Sequence, residues 1–331
     1  MTNNVSELQG KILEVLKDGE FHSGESLGET LGVSRTAVWK QLRKLEAIGL
    51  SLESVKGTGY RVPAGFELLD ANKIHGDLSA IEGPMPAKLQ IFHTIDSTNR
   101  YLREQAGDSD HSRSVVFAES QTSGRGRRGK TWVSPFAANI YMSTLWDFER
   151  GAEALEGLSL AVGIAVRRAL MQLGVKDVQL KWPNDIYVGQ KKLGGILLEM
   201  VGDPAGHCSV VVGVGINVSM PKQAAEAIDQ DWTDVNTELN RPMSRNALAT
   251  ALITHILTLL NDFQAMGFAP YRNEWQSADA FAGRQATVTN PREAISGTVL
   301  GVDAGGALQM KLANGKIQRF IGGELSLRLA K

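Results

Sequence analysis

The sequence predicts an α+β protein that opens with a winged helix-turn-helix and continues into a domain built on a mixed β-sheet. Apolar residues recur at helical spacing up to Leu45 and are followed by a short hairpin pattern, the succession expected of a winged helix. From Leu89 onward, β-branched or aromatic runs lie between glycines and follow one another as hairpin strands do. These runs outnumber the helices, which favours a mixed sheet over a doubly wound one.

The composition allows ample hydrophobic cores but predicts no general affinity for nucleic acid. The 331 residues suggest two or three domains, 43% of them are hydrophobic, and the formal net charge is -1. Any DNA contact must therefore come from a local basic patch. The single cysteine, Cys208, excludes an internal disulfide framework and a cysteine-based zinc site. The N-terminus is polar and no apolar run reaches about 18 residues, so we expect a cytoplasmic protein without membrane contact.

Three helices and a hairpin are predicted before residue 66. Gly32-Val33-Ser34 forms a tight turn that ends in a helix-capping serine, and the helix Ser34–Leu45 follows with one apolar face. Lys56-Gly57-Thr58-Gly59 then turns a hairpin. Pro63-Ala64-Gly65 begins a linker, and Glu67–Ala80 is predicted to form a short helix.

The outward face of the Ser34–Leu45 helix is basic, and a winged helix inserts this helix into the major groove of DNA. The residues predicted to contact DNA lie on this face and on the hairpin: Arg35, Thr36, Lys40, Arg43, Lys56 and Arg61. A protein-interaction module or a vestigial domain are the alternatives, because most basic helix faces are merely solvated.

The central domain is predicted to contain six strands and two long helices. The strands are Leu89–Ile95, Val115–Ala118, Ile140–Leu145, Val178–Trp182, Leu193–Met200 and Val210–Val218, and the helices are Leu158–Leu173 and Ala247–Gln264.

The segment Gly124–Lys130, called the basic loop below, alternates three glycines with four cations. Its glycines let the backbone pass close to a ligand, and its cations repel one another until an anion draws them together. Trp132 follows, an aromatic ring that can cover a base. The pattern predicts a cover that closes over a phosphate-containing ligand.

Polar residues collect at the strand ends of the central domain. The segments are Asp96-Ser97-Thr98-Asn99, Gln121, Lys181-Trp182-Pro183-Asn184-Asp185, Lys191-Lys192-Leu193-Gly194-Gly195-Ile196 and Gly213-Val214-Gly215-Ile216-Asn217. Helix capping alone explains the first segment about as well as ligand binding does, and Asn184-Asp185 also fits plain turn chemistry. Together they suggest one site. The sequence contains no P-loop, no nucleophile elbow and no complete dinucleotide fingerprint.

These motifs, in this order from Asp96 to Asn217, resemble those of the biotin protein ligases. With the winged helix in front, the whole chain is similar to the bifunctional bacterial type, a biotin–[acetyl-CoA-carboxylase] ligase and biotin operon repressor. The tail from Ala280 to Lys331 resembles the family's small SH3-like β-barrel. The resemblance implies three domains: a DNA-binding domain over residues 1–66, a biotin/lipoate ligase-type catalytic domain over 67–275, and an SH3-like domain over 276–331.

The resemblance also implies a reaction and a regulatory role. Biotin is activated with ATP and Mg²⁺ to biotinyl-5′-AMP, and a lysine of the biotin carboxyl carrier protein then takes up the biotin. Biotinyl-AMP binding is expected to promote a homodimer that binds biotin operator DNA and represses biotin biosynthesis genes. The alternatives are a lipoate or octanoate protein ligase, and a protein that is chiefly a ligand-sensing repressor.

Residue roles follow from the resemblance by position. Biotin binding is expected of Ser97, Thr98, Asn99, Gln121, Arg125, Gly126, Arg127 and Lys192. ATP binding is expected of Arg127, Arg128, Trp132, Asn184, Asp185 and Asn217, with Trp132 on the adenine and Asp185 as the Mg²⁺ ligand. The catalytic residues are expected to be Lys192, Arg127 and Arg125.

Overall fold

The computed structural model of the chain describes residues 6–62, 66–107, 111–149, 151, 155–203, 208–289, 293–322 and 325–329. The predicted linker Pro63-Ala64-Gly65 lies outside the described residues. The N-terminal elements are α1 (Glu7–Leu16), α2 (Gly24–Leu31), α3 (Arg35–Ala47), β1 (Glu53–Val55), β2 (Gly59–Arg61) and α4 (Ala71–Ser79).

The central elements run from β3 to α10. They are β3 (Lys88–Ile95), α5 (Thr98–Glu104), β4 (Ser114–Gln121), β5 (Ile140–Phe148), α6 (Leu158–Gln172), β6 (Val178–Lys181), β7 (Asp185–Val188), β8 (Lys191–Gly202), β9 (Cys208–Ile216), α7 (Lys222–Ala225), α8 (Val235–Leu239), α9 (Arg245–Met266) and α10 (Arg272–Ser277). The C-terminal strands are β10 (Gln285–Thr289), β11 (Ala294–Val302), β12 (Leu308–Leu312), β13 (Ile317–Phe320) and β14 (Ser326–Leu329).

The predicted winged helix-turn-helix is confirmed. A serine side chain caps the start of each of its helices: Ser6, Ser23 and Ser34 accept hydrogen bonds from backbone amides of the first turn. β1 and β2 form an antiparallel hairpin, the wing. Gly59 has φ 133°, and a Cβ there would lie 2.1 Å from the carbonyl oxygen of His22, so only glycine lets the wing pair with the body of the domain.

The helix predicted over Glu67–Ala80 is shorter than expected and begins at Ala71. The Asp70 side chain caps its start by accepting hydrogen bonds from the backbone amides of Asn72 and Lys73. The residues before it are held in place by α9 instead, because the Asp70 amide donates to Asn246 Oδ1 at 2.8 Å and the Asn246 amide donates to Glu67. Burial alone would raise the pKa of Glu67, but hydrogen bonds led by Asn246 and Lys73 outweigh it and lower that pKa to about 2.

The central domain is built on a mixed sheet, as predicted, with seven strands where six were expected. Among the described residues the strand order is β3-β4-β5-β9-β8-β7-β6, with β3 and β4 parallel and the other pairs antiparallel. Alternate residues of β4 face opposite sides: Phe117 joins the large core with α6 and α9, whereas Val116 packs with Leu102 of α5. Helix α5 therefore lies on the face of the sheet opposite α6 and α9.

The C-terminal strands form a five-stranded antiparallel sheet in the order β13-β12-β11-β10-β14, consistent with the predicted SH3-like domain. Its buried side chains, Val288 and Met310 among them, belong to the same hydrophobic cluster as the central domain. The domain boundaries at residues 66 and 275 remain predictions. Within the described part of the chain, no helix combines the length and the apolar character needed to cross a membrane.

Two central-domain residues complete the hydrophobic core of the winged helix. Phe136 and Ala137 are buried in the same cluster as Ile12, Leu27 and Val38, called the winged-helix core below. These two residues follow Trp132 closely in the chain, so the winged-helix core and the basic loop are joined by one short segment.

Candidate functional site

A cleft of about 1200 Å³, part of it open to solvent, gathers the polar strand ends of the central domain. Of the residues predicted to bind biotin or ATP, those that line it are Ser97, Thr98, Asn99, Gln121, Arg125, Gly126, Arg127, Arg128, Trp132, Asn184, Asp185 and Lys192. Asn217 is not among the lining residues. It is buried beside the cleft, where its side-chain amide donates to the Thr233 carbonyl oxygen at 3.1 Å.

The inner end of the cleft is a hydrogen-bond network at the start of α5. Ser97 caps the helix, and Thr98 donates to Gln121 Oε1 from its backbone amide (2.9 Å) and from its hydroxyl (3.2 Å). The hydroxyl of Ser143 on β5 lies 2.7 Å from Thr98 Oγ1 and 2.6 Å from Asn99 Oδ1. These groups are nearly all buried and can hold a small polar headgroup in one orientation. Ser143 was not predicted, although a serine within the apolar run of β5 was a possible signal.

The basic loop crosses the cleft as a tight hairpin. The Gly126 amide donates to the Lys130 carbonyl oxygen at 2.7 Å, and the Trp132 amide donates to that of Gly124 at 2.9 Å. Arg127 points inward and donates to Asn184 Oδ1 at 3.2 Å. Burial is the main cause that lowers the pKa of Arg127, so this guanidinium already lies in a desolvated place where an anion would be bound strongly.

A second group of charges lies opposite the basic loop. Asp185, at the start of β7, is flanked by Lys192 Nζ at 2.6 Å and Lys181 Nζ at 3.6 Å. Burial lowers the pKa of Lys181, and burial raises the pKa of the neighbouring Tyr187 to about 12. Three cationic side chains, including Arg127, thus surround one carboxylate, which leaves a surplus of positive charge for an anionic ligand.

Trp132 forms one wall of the cleft against the sheet. A Cβ on Gly215 would lie 2.6 Å from the indole ring, and one on Gly195 would lie 3.5 Å from it, so the bare backbones of β8 and β9 let the ring pack flat on the sheet. Lys192 Nζ lies 5.5 Å from the ring centroid. The indole nitrogen is buried and has no hydrogen-bond partner among the described residues.

Two further segments support the site, and the sequence did not predict them. Ser326, Leu327 and Arg328 of β14 line the cleft from the C-terminal sheet. The backbone of Lys192 is held on both sides, since its amide donates to the Asp231 carbonyl oxygen (3.0 Å) and its own carbonyl accepts from the Thr233 amide (2.9 Å). Neither segment has a motif of its own, and only tertiary packing brings them here.

The donor set of the cleft fits a metal ion only if the ligand supplies most of the oxygens. Asp185 is the one carboxylate among the described lining residues, and the described residues contain no group of three or more His, Cys, Asp or Glu side chains that could hold a metal. Mg²⁺ is commonly bound by one or two carboxylates together with substrate phosphates. The single carboxylate of Asp185 could serve in such an arrangement.

The predicted DNA-contacting residues lie on the exposed surface of the winged helix. Arg35, Thr36, Lys40 and Lys56 are exposed, and so is Arg43, whose guanidinium lies 5.8 Å from the Trp39 ring centroid. Arg61 is different: it donates to Glu53 at 2.7 Å and stacks over Phe21 at 4.5 Å from the ring centroid. Its guanidinium must leave these partners to reach a phosphate.

Comparisons with known proteins agree with the fold. A model of the Biotin/lipoate A/B protein ligase family matches residues 91–217, an HTH domain model matches 9–61, and a model of the biotin protein ligase C-terminal domain matches 281–328. The chain is 39% identical to the bifunctional ligase/repressor BirA of Salmonella typhimurium over 320 residues, 97% of each chain. It is also 39% identical to BirA of Escherichia coli over 321 residues, again 97% of each chain.

A solved structure extends the similarity to three dimensions. The biotin protein ligase from Aquifex aeolicus, in complex with biotin and ATP, has a TM-score of 0.63 and 27% sequence identity, and the match covers 73% of this chain and 99% of that chain. Because full-length relatives are similar well above 30% identity, and because all three domain models match in order, this chain belongs to the biotin protein ligase family, in its bifunctional ligase/repressor BirA group.

Proposed function

We propose that this chain activates biotin with ATP to biotinyl-5′-AMP, transfers the biotin to a lysine of the biotin carboxyl carrier protein, and represses biotin biosynthesis genes. The observation that carries the proposal is the cleft, in which a buried network of hydrogen-bonding side chains meets a surplus of cations under the basic loop. Biotin has a polar ring system at one end and a carboxylate at the other, and the cleft matches both ends.

In the first step, a carboxylate oxygen of biotin attacks the α-phosphorus of ATP and pyrophosphate leaves. Ser97, Thr98, Asn99 and Gln121 would hold the biotin ring system at the inner end of the cleft. Lys192 would lie between the carboxylate and the α-phosphate, where its ammonium group lowers the repulsion between the two anions. Such a preorganised charge is often the largest single contribution to catalysis.

The basic loop would then retain the product. Arg125 and Arg127 would close over biotin and the phosphate, with Arg128 and Asn184 towards the triphosphate and Trp132 nearer the adenine. An acyl-adenylate is readily hydrolysed, so excluding water protects it. In the second step, the amine of the carrier lysine attacks the acyl carbonyl and AMP leaves.

Mg²⁺ would enter with ATP and be held by Asp185 together with phosphate oxygens. When bound, it supplies further positive charge against the triphosphate. Asp185 itself keeps Lys192 and Lys181 in position through its two carboxylate oxygens, at 2.6 and 3.6 Å.

Repression would use a homodimer that forms when biotinyl-AMP binds. Strand β7 pairs with β8 only as far as Gly195, and among the described residues no strand pairs with β8 beyond that point on this side. The unpaired edge from Leu197 to Gly202 lies next to the cleft, and an unpaired edge invites a second strand. Two copies pairing there around a twofold axis would present two winged helices to two half-sites of biotin operator DNA.

One set of measurements tests the proposal against its alternatives. Purified protein is given biotin, lipoate or octanoate with ATP, and the labelling of each carrier protein is followed. In parallel, binding to biotin-biosynthesis promoter DNA and sedimentation are measured with and without biotinyl-AMP. We expect biotinylation only, and tighter promoter binding with a dimer in the presence of biotinyl-AMP. Labelling with lipoate or octanoate would favour a lipoate or octanoate protein ligase. Promoter binding without labelling of any carrier protein would favour a protein that is chiefly a repressor.

A further inference from the structure

Glu199 joins the biotin end of the cleft to the basic loop, although it belongs to no motif that the sequence analysis identified. It lies on β8, and its side chain is 17% exposed. Its carboxylate accepts from Asn99 Nδ2 at 2.8 Å and from Arg125 Nη2 at 3.1 Å, and Arg103 Nη1 lies 3.4 Å away on the outer side.

The carboxylate of Glu199 determines which way the Asn99 amide faces. An ionised carboxylate only accepts hydrogen bonds, so the Asn99 atom that faces it must be the NH₂ group. That group also donates to the Leu197 carbonyl oxygen at 3.3 Å, and both of its protons are then used. The amide oxygen takes the other side, 2.6 Å from the Ser143 hydroxyl, and it fills the space where a Cβ on Gly213 would stand 2.1 Å away.

This orientation has a consequence for the ligand. Since both N–H protons of Asn99 are used within the protein, the side chain can offer the cleft only the second lone pair of its oxygen. An acceptor there suits an N–H donor, and the cyclic urea of biotin carries two such donors. A ligand with an acceptor at that position would meet an unfavourable oxygen–oxygen contact.

The same carboxylate also holds Arg125 of the basic loop. Arg125 is exposed, and its guanidinium forms an ion pair with Glu199. The carboxylate thus contacts, within 3.1 Å, one residue that lines the biotin end of the cleft and one residue that covers it. A charge-assisted contact of this kind is stronger than one between neutral groups.

We propose that Glu199 is a positioning residue, an inference that rests on the proposed function. It orients Asn99 to accept from the biotin ring system, and it holds Arg125 over the bound adenylate. It does not touch the reacting atoms itself.

Three variants separate the two roles. In Glu199→Ala both contacts are lost. In Glu199→Gln the amide oxygen at the Oε2 position can still accept from Asn99, while the NH₂ group takes the Oε1 position beside the guanidinium groups of Arg125 and Arg103. The orientation of Asn99 is then kept, whereas the hold on Arg125 is weakened because the negative charge and one of its two acceptor oxygens are lost. Arg103→Gln is the matched control, because it removes a cation from the outer side of the same carboxylate and leaves Asn99 and Arg125 paired.

The measurements are the biotin dissociation constant by calorimetry, the KM for ATP, and the rate at which preformed biotinyl-AMP leaves the protein. For Glu199→Ala we expect biotin binding weakened about 10- to 100-fold, as for a misdirected buried hydrogen-bonding group, with KM for ATP within about twofold of wild type. For Glu199→Gln we expect recovery of most of the biotin affinity but about tenfold faster adenylate release. Arg103→Gln should change neither quantity.

The inference is overturned if Glu199→Ala binds biotin as the wild type does, if KM for ATP rises in step with the biotin dissociation constant, or if Arg103→Gln reproduces the defect. Failure of Glu199→Gln to restore biotin affinity would also overturn the assigned orientation of Asn99. All of these outcomes presuppose a wild-type chain that binds biotin and forms its adenylate. A wild type that does neither instead contradicts the proposed function.

Discussion

Replacing Lys192 by alanine tests the proposed chemistry most directly. Lys192 lines the cleft, its side chain is 15% exposed, and its ammonium group lies 2.6 Å from Asp185. We expect adenylate formation by Lys192→Ala to fall by about 10³-fold, the upper part of the range for removing one preorganised group opposite developing charge.

Two terms make up that loss. The first is the missing cation: a pair of unit charges about 4 Å apart interacts with about 4 kcal/mol at an effective dielectric constant near 20. The second is the carboxylate left behind, because without Lys192 the remaining ammonium partner of Asp185 is Lys181 at 3.6 Å. Asp185 then repels the triphosphate more strongly.

The assay is single-turnover release of pyrophosphate at saturating biotin and ATP, so that weakened binding is not mistaken for slow chemistry. Lys191→Ala is the matched control, because it removes the same charge from the preceding residue, which is exposed and does not line the cleft. Near-normal pyrophosphate release by Lys192→Ala would refute the reasoning. An equal loss in Lys191→Ala would show that only the general charge of the turn matters.

Three other perturbations have definite expected results. Arg127→Gly removes the guanidinium that donates to Asn184, so biotinyl-AMP should form but escape, which labelling of lysines on bystander proteins would reveal. Arg43→Ala removes an exposed cation of α3 and should weaken promoter binding about tenfold with unchanged ligation. Asp279 is buried, with burial raising its pKa to about 6, above the unfolded value near 3.9. At a pH between these two pKa values the folded state keeps a proton that the unfolded state has lost. The free energy of unfolding should therefore fall by about 2–3 kcal/mol as pH rises from 4 to 6. Asp279→Asn should flatten that slope in urea titrations.

Each of these expectations has an outcome that contradicts it. Retention of the adenylate by Arg127→Gly, at unchanged biotin affinity, would remove that residue from the cover. Unchanged promoter binding by Arg43→Ala would place the DNA contact elsewhere on the winged helix. An identical pH dependence of wild type and Asp279→Asn would mean that the carboxyl group of Asp279 titrates normally in the folded protein.

The sequence predicted the elements whose ends are determined locally. Serine caps at Ser34 and Ser97 marked the starts of α3 and α5, and alternation of apolar residues marked the long strands. The helix predicted over Glu67–Ala80 was wrong in its first four residues, because their backbone is held by the side chains of Arg245 and Asn246 at the start of α9, about 180 positions further along the chain. The short strand β7 (Asp185–Val188) was not predicted, and its first residue was assigned to a turn, since four residues carry little periodicity.

The site was predictable where glycines and charges formed compact motifs, and not where it depended on distant strands. The residue composition of the basic loop and of the Lys181–Asp185 segment is enough to identify both as candidate site segments. Nothing near Arg328 in the sequence distinguishes it from an ordinary strand residue, and only the packing of β14 brings it to the cleft. Ser143 had one weak signal, its place within an apolar strand, and only the packing of β5 brings it into hydrogen-bond contact with Thr98. Glu199 is a third such case, because a glutamate in a strand usually faces solvent.

The path between the cleft and the DNA-binding domain is short and follows the backbone. Trp132 is packed on Gly215 inside the cleft, whereas Phe136, four residues later, is 1% exposed in the winged-helix core. Four extended residues span at most about 14 Å, and the segment is tied further where the Ala137 amide donates to the Glu119 carbonyl oxygen at 3.0 Å. A shift of Trp132 on ligand binding must therefore be absorbed by the three residues between Trp132 and Phe136, or it must move the winged-helix core. The closely packed side chains of that core transmit strain to one another, so they would shift together.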